Sequence, residues 1–384
     1  MKPLIKWPGG KSSEFTHIEQ MIPSYNRYIE PFFGGGAIFF NLKKGKGVIN
    51  DNSENLTAFY QLIKSQNEKL AETLYCYNHN WNILGTVFRK MYPDLYTIYR
   101  EYRQQTVSPT ALPGAMAEIL NRHKPLFLTS FSPEIILDQQ TFFQEIQANF
   151  LAKITRMIKI EKKTGTPLSD VDLQSNMETG FRSGFYMYFR NLYNDIALQR
   201  ENAKTVSLEE KIANFYFIRE YCYGSMFRYN RKGEFNIPYG GIGYNKKDFK
   251  KKINYLFSQK ITRHFEDVEI YNLDFEECLN RVNLSADDFI FLDPPYDSDF
   301  SDYEGVAFDK SDQQRLADFL KKTPAKFILI IKKTEYIQQL YQGTDTLTIF
   351  DFDKQYTYNV RSRNNRAVSH LIITNCKAQK LRKQ

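Results

Sequence analysis

Cysteine is scarce in this 384-residue chain, and the four present, Cys76, Cys222, Cys278 and Cys376, stand far apart with no C-x-x-C pair. A disulfide framework or a zinc site is therefore not expected, and the five histidines show no ligand spacing beside them. Long apolar runs are missing too: nothing approaches the roughly 20 residues of a membrane helix. The opening "MKPLIKWPGGK" lacks the apolar region of a secretory signal, so a cytoplasmic protein without a membrane partner is expected. No lysine follows the "GGG" run in the spacing of a triphosphate loop.

Aromatic residues, by contrast, are abundant, with 26 Tyr and 31 Phe. Most such rings belong in a core, but tyrosines among basic residues also hold bases and phosphates. The 52 Lys and Arg against 44 Asp and Glu leave a formal charge of +8, which hints at a polyanionic partner. The length suits two or three domains, or one domain with a large insertion.

Patterning separates the chain into regions of different character. "RYIEPFF" reads as a strand, "GGGAIFFNLKK" as a turn into an apolar helix, and "GVIND" as a strand ending in a carboxylate, a βαβ beginning. Ser53 is a fitting N-cap for a helix reaching about Asn78. From about Trp81 to Tyr221 the pattern is helical with polar breaks. "MFRYNRKGEFNIPYGG" then reads as a hairpin turning at Arg231-Lys232-Gly233, with the basic run "NKKDFKKKINYLF" directly behind it. Strand-like "VEIYNLDF", "FIFLD", "KFILIIKK" and "HLIITN" complete a sheet, with the helix-like "SDQQRLADFLKK" among them.

Three strand ends carry chemistry. In "FIFLDPPYD", Phe289 to Leu292 have the unbroken apolar character of a strand covered on both faces, and Pro294 and Pro295 stop it rigidly. Asp293 is thereby held at the carboxyl edge of the sheet with Tyr296 just beyond, where open α/β sheets place ligands. In "EPFFGGG", Pro31 and Phe32 lead into Gly34, Gly35 and Gly36, which form either a tight turn or a place where backbone closely approaches a ligand. Asp51 ends the next strand at the position that grips ribose hydroxyls in nucleotide-binding units, so the pair reads as a nucleoside-cofactor site. Gly9 and Gly10, between Trp7 and Lys11, form either a second close-approach loop or an ordinary turn.

Six segments, "LIKWPGGKS", "YIEPFFGGGAIFF", "VIND", "CYGSMFRYNRKGEFNIPYGG", "NLDF" and "FLDPPY", occur here in the order found in Dam-like DNA adenine methyltransferases, which the chain resembles over about 1–65 and 215–375. The segment at about 80–210 has no clear counterpart in smaller members. The resemblance implies a Rossmann-like α/β sheet that binds S-adenosyl-L-methionine, with an inserted, mainly helical target-recognition domain carrying a β-hairpin. It implies a catalytic domain in two parts, 1–78 and 266–384, around a recognition domain at 79–265 with its hairpin at 226–241.

Catalysis is implied at Asp293, Pro294, Pro295 and Tyr296. The carboxylate and the Pro294 carbonyl would accept the two N–H bonds of an adenine amine, and Tyr296 would stack on a base flipped from the duplex. Cofactor contacts are implied for Trp7, Gly9, Gly10, Lys11, Pro31, Phe32, Gly34, Gly36, Asp51, Asp274, Phe275 and Asp293. A surface carboxylate at a strand end is the competing reading of Asp274. Double-stranded DNA would meet Lys6, Tyr223, Met226, Arg228, Arg231 and Pro238, with Arg228 suited to guanine. Gly224 and Gly241 depart from the family's usual Asn and basic residue, so the target site does not carry over. Lys246, Lys247, Lys250, Lys251 and Lys252 are phosphate contacts or a solvated face.

The resemblance points to a bacterial or phage enzyme, nucleoid-associated through its DNA, that is either the modification half of a restriction system with a cognate restriction endonuclease as system partner, or a phage or orphan enzyme. Cytosine's 4-amino group is chemically equivalent for the same carboxylate, and a catalytically silent DNA-binding homologue is the reading from another class.

Overall fold

The computed structural model describes residues 1–11, 15–43, 45–201, 204–226, 228–295, 308–355 and 367–376. The chain divides into two compact units, Met1–Ser65 with Gln259–Gln384, and Gln66–Ser258.

The first unit is built on a seven-stranded sheet, β1 (Arg27–Glu30), β2 (Lys46–Asn50), β3 (Val268–Tyr271), β4 (Asp288–Leu292), β5 (Lys326–Lys332), β6 (Thr348–Gln355) and β7 (Ala367–Thr374), in the order β3-β2-β1-β4-β5-β7-β6. The five strands from β3 to β5 are parallel, and β7 runs antiparallel between β5 and β6. This is the Rossmann-like α/β sheet implied by the sequence. β2 and β3 build outward on one side of β1, β4 and β5 on the other, so the order reverses between β1 and β4. Both strands are covered on both faces, and every residue of β4 is buried. One face packs Ile29, Ile290, Leu292, Leu329 and Ile331 against the helices Phe275–Arg281, Lys310–Leu320 and Glu335–Tyr341.

Two helical expectations are corrected. After the glycine run only a short 3-10 turn forms, Phe39–Asn41. Phe39 and Phe40 are both buried, wedged among Phe33, Tyr60, His264 and Phe265, and a one-sided surface helix does not bury consecutive rings. The helix capped by Ser53 ends at Lys64, not near Asn78. Gln66 takes φ 50°, and the Asn67 side chain accepts from Leu70 N at 2.8 Å to start a new helix, Glu68–Arg103. β6 was not anticipated. It lies at the sheet edge with Asp351 and Asp353 among its apolar residues, so it lacks a continuous apolar run.

The second unit is helical: Glu68–Arg103, Leu112–Arg122, Lys124–Ser130, Gln139–Thr164, Asp170–Ala197, Leu208–Tyr221 and Phe249–Leu256. Its hairpin is bridged at two points, Cys222 with Tyr239 and Tyr229 with Phe235, both antiparallel. Among the described residues no helix is long and apolar enough to cross a membrane.

Candidate active site

Open α/β sheets bind ligands at the carboxyl ends of the strands where the strand order reverses, and candidate residues of the first unit lie at the ends of β1, β2 and β4 on either side of the reversal between β1 and β4. Asp293 follows the last residue of β4, with Pro294 buried behind it. The Gln313 side chain, fully buried, donates to the Pro295 carbonyl at 3.3 Å and so holds the turn after the strand. Lys11 reaches in from the first loop. Its Nζ lies 2.5 Å from both carboxylate oxygens of Asp293 and also donates to the Gly9 carbonyl at 3.1 Å. The lysine is 2% exposed, so its charge is matched by the carboxylate and not by water. Tyr296 lies outside the described residues.

The glycine turn is fixed by Asp51. One carboxylate oxygen accepts from Gly34 N at 2.7 Å and the other from Ser53 N at 2.9 Å. Burial raises the Asp51 pKa above the ordinary range, with the Ser53 and Gly34 bonds opposing it. Tyr60 Oη donates to the Gly34 carbonyl at 3.0 Å from the other side. Gly34 has φ +51°, and a methyl group there would stand 2.9 Å from Cδ1 of Trp7. Gly36, at φ +64°, would meet the Phe33 ring at 2.5 Å. Close packing of Trp7 on the turn therefore requires glycine. The Phe32 and Phe275 rings pack tilted, with centroids 5.4 Å apart, beside the turn.

Several residues that hold this site were not singled out in the sequence. Asn50, 1% exposed, donates to the carbonyls of Pro31 and Leu273, both at 3.0 Å, and accepts from Leu273 N at 2.9 Å, tying together the chain segments that follow β1 and β3. Glu30 ends β1 almost fully buried and accepts from Tyr28 Oη at 2.7 Å. Arg315 binds both carboxylate oxygens of Asp274 at 3.0 Å, and Asp274 also caps the helix after it through Glu276 N. Burial raises that carboxyl's pKa, but the Arg315 and Glu276 bonds outweigh it and the net shift is downward. Asp274 is thus engaged with protein partners, beside Phe275, over whose ring the Arg315 guanidinium lies at 4.6 Å.

Of the candidate DNA residues, Lys6 lies exposed in the first unit. In the second unit Tyr223 is 56% exposed, Arg228, Arg231 and Pro238 are exposed, and Met226 is half-buried. The Pro238 carbonyl accepts from Tyr223 N at 2.8 Å, and Arg228 Nε donates to Asn236 Oδ1 at 3.0 Å.

The family model for D12 class N6 adenine-specific DNA methyltransferases matches residues 7–85 and 137–358, most of the chain. The chain belongs to this family. As a D12 class methyltransferase it methylates adenine N6 in DNA, and DNA is its substrate. The chain is 24% identical to the Type II methyltransferase M.CviBI of Paramecium bursaria Chlorella virus NC1A, over 98% of this chain and 100% of that one. It is 25% identical to the Type II methyltransferase M.MjaIII of Methanocaldococcus jannaschii, over 89% of each. Against a DNA adenine methylase of Vibrio cholerae the identity is 20%, over 94% of this chain and 92% of that one. The family match resumes at 137. Helices Gln139–Thr164 and Asp170–Ala197, which lay within the segment without a motif counterpart, thus fall inside it, and 86–136 does not.

Proposed function

We infer that the chain is a site-specific adenine methyltransferase that uses S-adenosyl-L-methionine and transfers the methyl group directly to a base rotated out of duplex DNA. The observation that carries this reading is the gathering, at one sheet reversal, of the Lys11–Asp293 pair, the glycine turn and Asp51.

These residues fit the cofactor. A glycine-lined turn without side chains, a carboxylate at the end of β2 and the Phe32 and Phe275 rings are what a nucleoside with a charged amino-acid tail requires. Trp7, Gly9, Gly10, Lys11, Pro31, Phe32, Gly34, Gly36, Asp51, Phe275 and Asp293 would surround it, with Asp274 acting through Arg315 and the helix start. S-adenosylmethionine supplies an activated methyl on a sulfonium sulfur.

The adenine amine is a poor nucleophile because its lone pair is delocalised into the ring. Asp293 and the Pro294 carbonyl accept its two N–H bonds and make the nitrogen more tetrahedral, with the lone pair aimed at the methyl. Pro294, Pro295 and the Gln313 bond keep these acceptors in place. Lys11 balances the carboxylate charge in a site that excludes most water. After transfer, the extra proton on nitrogen leaves through Asp293. Tyr296 supplies a ring face for the flipped base, and Tyr223 fills the gap it leaves. Arg228, Met226, Arg231 and Pro238 meet base edges and backbone, with Lys6 added from the first loop.

The Type II names of two relatives support a place in a restriction-modification system, with a cognate endonuclease as system partner, and a cytoplasmic setting. Asp293→Ala tests the mechanism. Methyl transfer to duplex DNA should fall by roughly 10²–10³-fold or more while DNA affinity stays near wild type. Full activity in that variant would overturn the mechanism, and nucleoside analysis of the product distinguishes N6-methyladenine from N4-methylcytosine.

A further inference from the structure

The hairpin of the second unit is a short two-stranded ribbon. Its arms meet at two isolated bridges, Cys222 with Tyr239 and Tyr229 with Phe235, and in a few backbone bonds such as Asn236 N to the Arg228 carbonyl at 3.2 Å and Asn230 N to the Glu234 carbonyl at 2.9 Å, and a two-stranded ribbon alone is marginal in water. The helix Asp170–Ala197 adds a third partner to the two arms. Asn194, 6% exposed, donates from Nδ2 to the Phe235 carbonyl at 3.1 Å and accepts from Phe235 N at 2.8 Å. One amide side chain thus takes the place of a neighbouring strand. Two turns earlier Tyr186 Oη donates to the Ile237 carbonyl at 2.8 Å, and Tyr193 Oη lies 3.2 Å from Tyr229 Oη. Arg200 then bonds Asp195 at 2.7 Å and also Glu234 at the tip.

These contacts fall on alternate residues of the second arm. Phe235, Ile237 and Tyr239 are buried, whereas Pro238 is exposed and Asn236 half-buried, with Arg228 Nε on Asn236 Oδ1. Side chains along an extended segment alternate with a period of two, so a slip of one residue would exchange the two faces. Gripping the backbone at Phe235 and Ile237 therefore acts with the arm-to-arm bond from Asn236 N to the Arg228 carbonyl to keep Asn236, Pro238 and, through Asn236, Arg228 pointing outward.

We propose that the helix Asp170–Ala197 is the register clamp of the DNA-reading hairpin, with Asn194 and Tyr186 as its positioning residues. The proposal rests on the reading of the hairpin as the DNA contact. Neither residue touches DNA; they set which hairpin side chains do.

The test begins with the full-length wild-type chain, whose target is read by direct detection of modified bases in DNA from cells expressing it. Steady-state methylation is then measured on the cognate duplex and on duplexes with one base changed, for wild type, Asn194→Ala and Tyr186→Phe. In both variants the preference for the cognate duplex should fall about tenfold or more. KM for the cognate duplex should rise, with kcat at saturating DNA and cofactor affinity near wild type. Tyr186→Phe removes a single hydroxyl and carries the test if Asn194→Ala does not fold. An unchanged preference, or an equal loss on every duplex, overturns the clamp while leaving the methyltransferase reading standing. Wild-type protein that methylates no duplex DNA overturns both.

Discussion

Glu30 is the residue whose environment has the clearest consequence for stability. It ends β1 inside the sheet, 3% exposed, with Tyr28 Oη donating to it. Burial pushes its carboxyl pKa well above the ordinary range; the Tyr28 bond opposes this, and the negative charges of Asp293 and Asp51 add to it. Between the ordinary carboxylate pKa and the raised one, the folded chain keeps a proton that the unfolded chain has released. Stability from this group therefore falls as pH rises through that window. Glu30→Gln keeps an acceptor for Tyr28 and removes the titration. Chemical unfolding from about pH 5 to about pH 8 should show a smaller loss of stability in the variant, with the gain over wild type growing toward high pH. A variant whose advantage shrinks with rising pH would contradict the assignment. Asp51 and Asp293 were legible in the sequence because each directly follows an apolar strand. Glu30 and Asn50 were not, because a polar residue inside a short strand has no signature until its partners, Tyr28 in one case and the Pro31 and Leu273 loops in the other, are in place.

The lysine run behind the hairpin shows how an element divides residues that look equivalent in sequence. Glu220, 2% exposed near the end of the helix Leu208–Tyr221, has Lys252 at 3.5 Å and Lys247 at 4.0 Å. Lys247 also lies over the Tyr244 ring at 4.0 Å and that of Tyr221 at 5.4 Å. Lys246, Lys250 and Lys251 are exposed. The first pair neutralises a buried carboxylate, and the other three, exposed to solvent, are our proposed phosphate contacts. Lys250→Gln and Lys251→Gln should each reduce the slope of log affinity against log salt by about 0.9. Lys252→Gln should leave the slope unchanged and cost about 1–3 kcal/mol of stability, because Glu220 loses a countercharge. Binding titrations at several salt concentrations, paired with denaturant unfolding, separate the two behaviours; equal slopes for Lys252→Gln and Lys250→Gln would refute the division. Periodicity made the buried strands β4 and β5 plain in the sequence, since their unbroken apolar runs admit little else. It did not show where the Ser53-capped helix stops, because Asn67 competes for the backbone through a side-chain bond that apolar spacing does not register. Nor did it show that the glycine turn closes on Trp7, a contact between segments about 27 residues apart in sequence.

The two compact units have separate cores, and ligand linkage gives a way to assign the cofactor to one of them. Every residue gathered around the glycine turn, from Trp7 to Asp293, belongs to the unit formed by Met1–Ser65 and Gln259–Gln384. A ligand that binds the folded form stabilises the structure it binds by RT ln(1 + [L]/Kd), about 2.7 kcal/mol at a hundredfold excess over Kd. S-adenosylmethionine should therefore slow amide hydrogen exchange chiefly in 27–34, 48–56 and 268–293, where β1, β2, β3 and β4 lead into the site, with a much smaller effect in the helices Gln139–Thr164 and Asp170–Ala197. The measurement is hydrogen exchange by mass spectrometry on the full chain with and without cofactor. Gly34→Ala provides the control: φ +51° disfavours a side chain there, and the added methyl meets Trp7 at 2.9 Å, so the cofactor-induced protection should shrink or vanish. Protection spread equally over the helical unit would mean that the cofactor's stabilisation is shared by both cores, and the assignment of binding to the sheet reversal alone would fall.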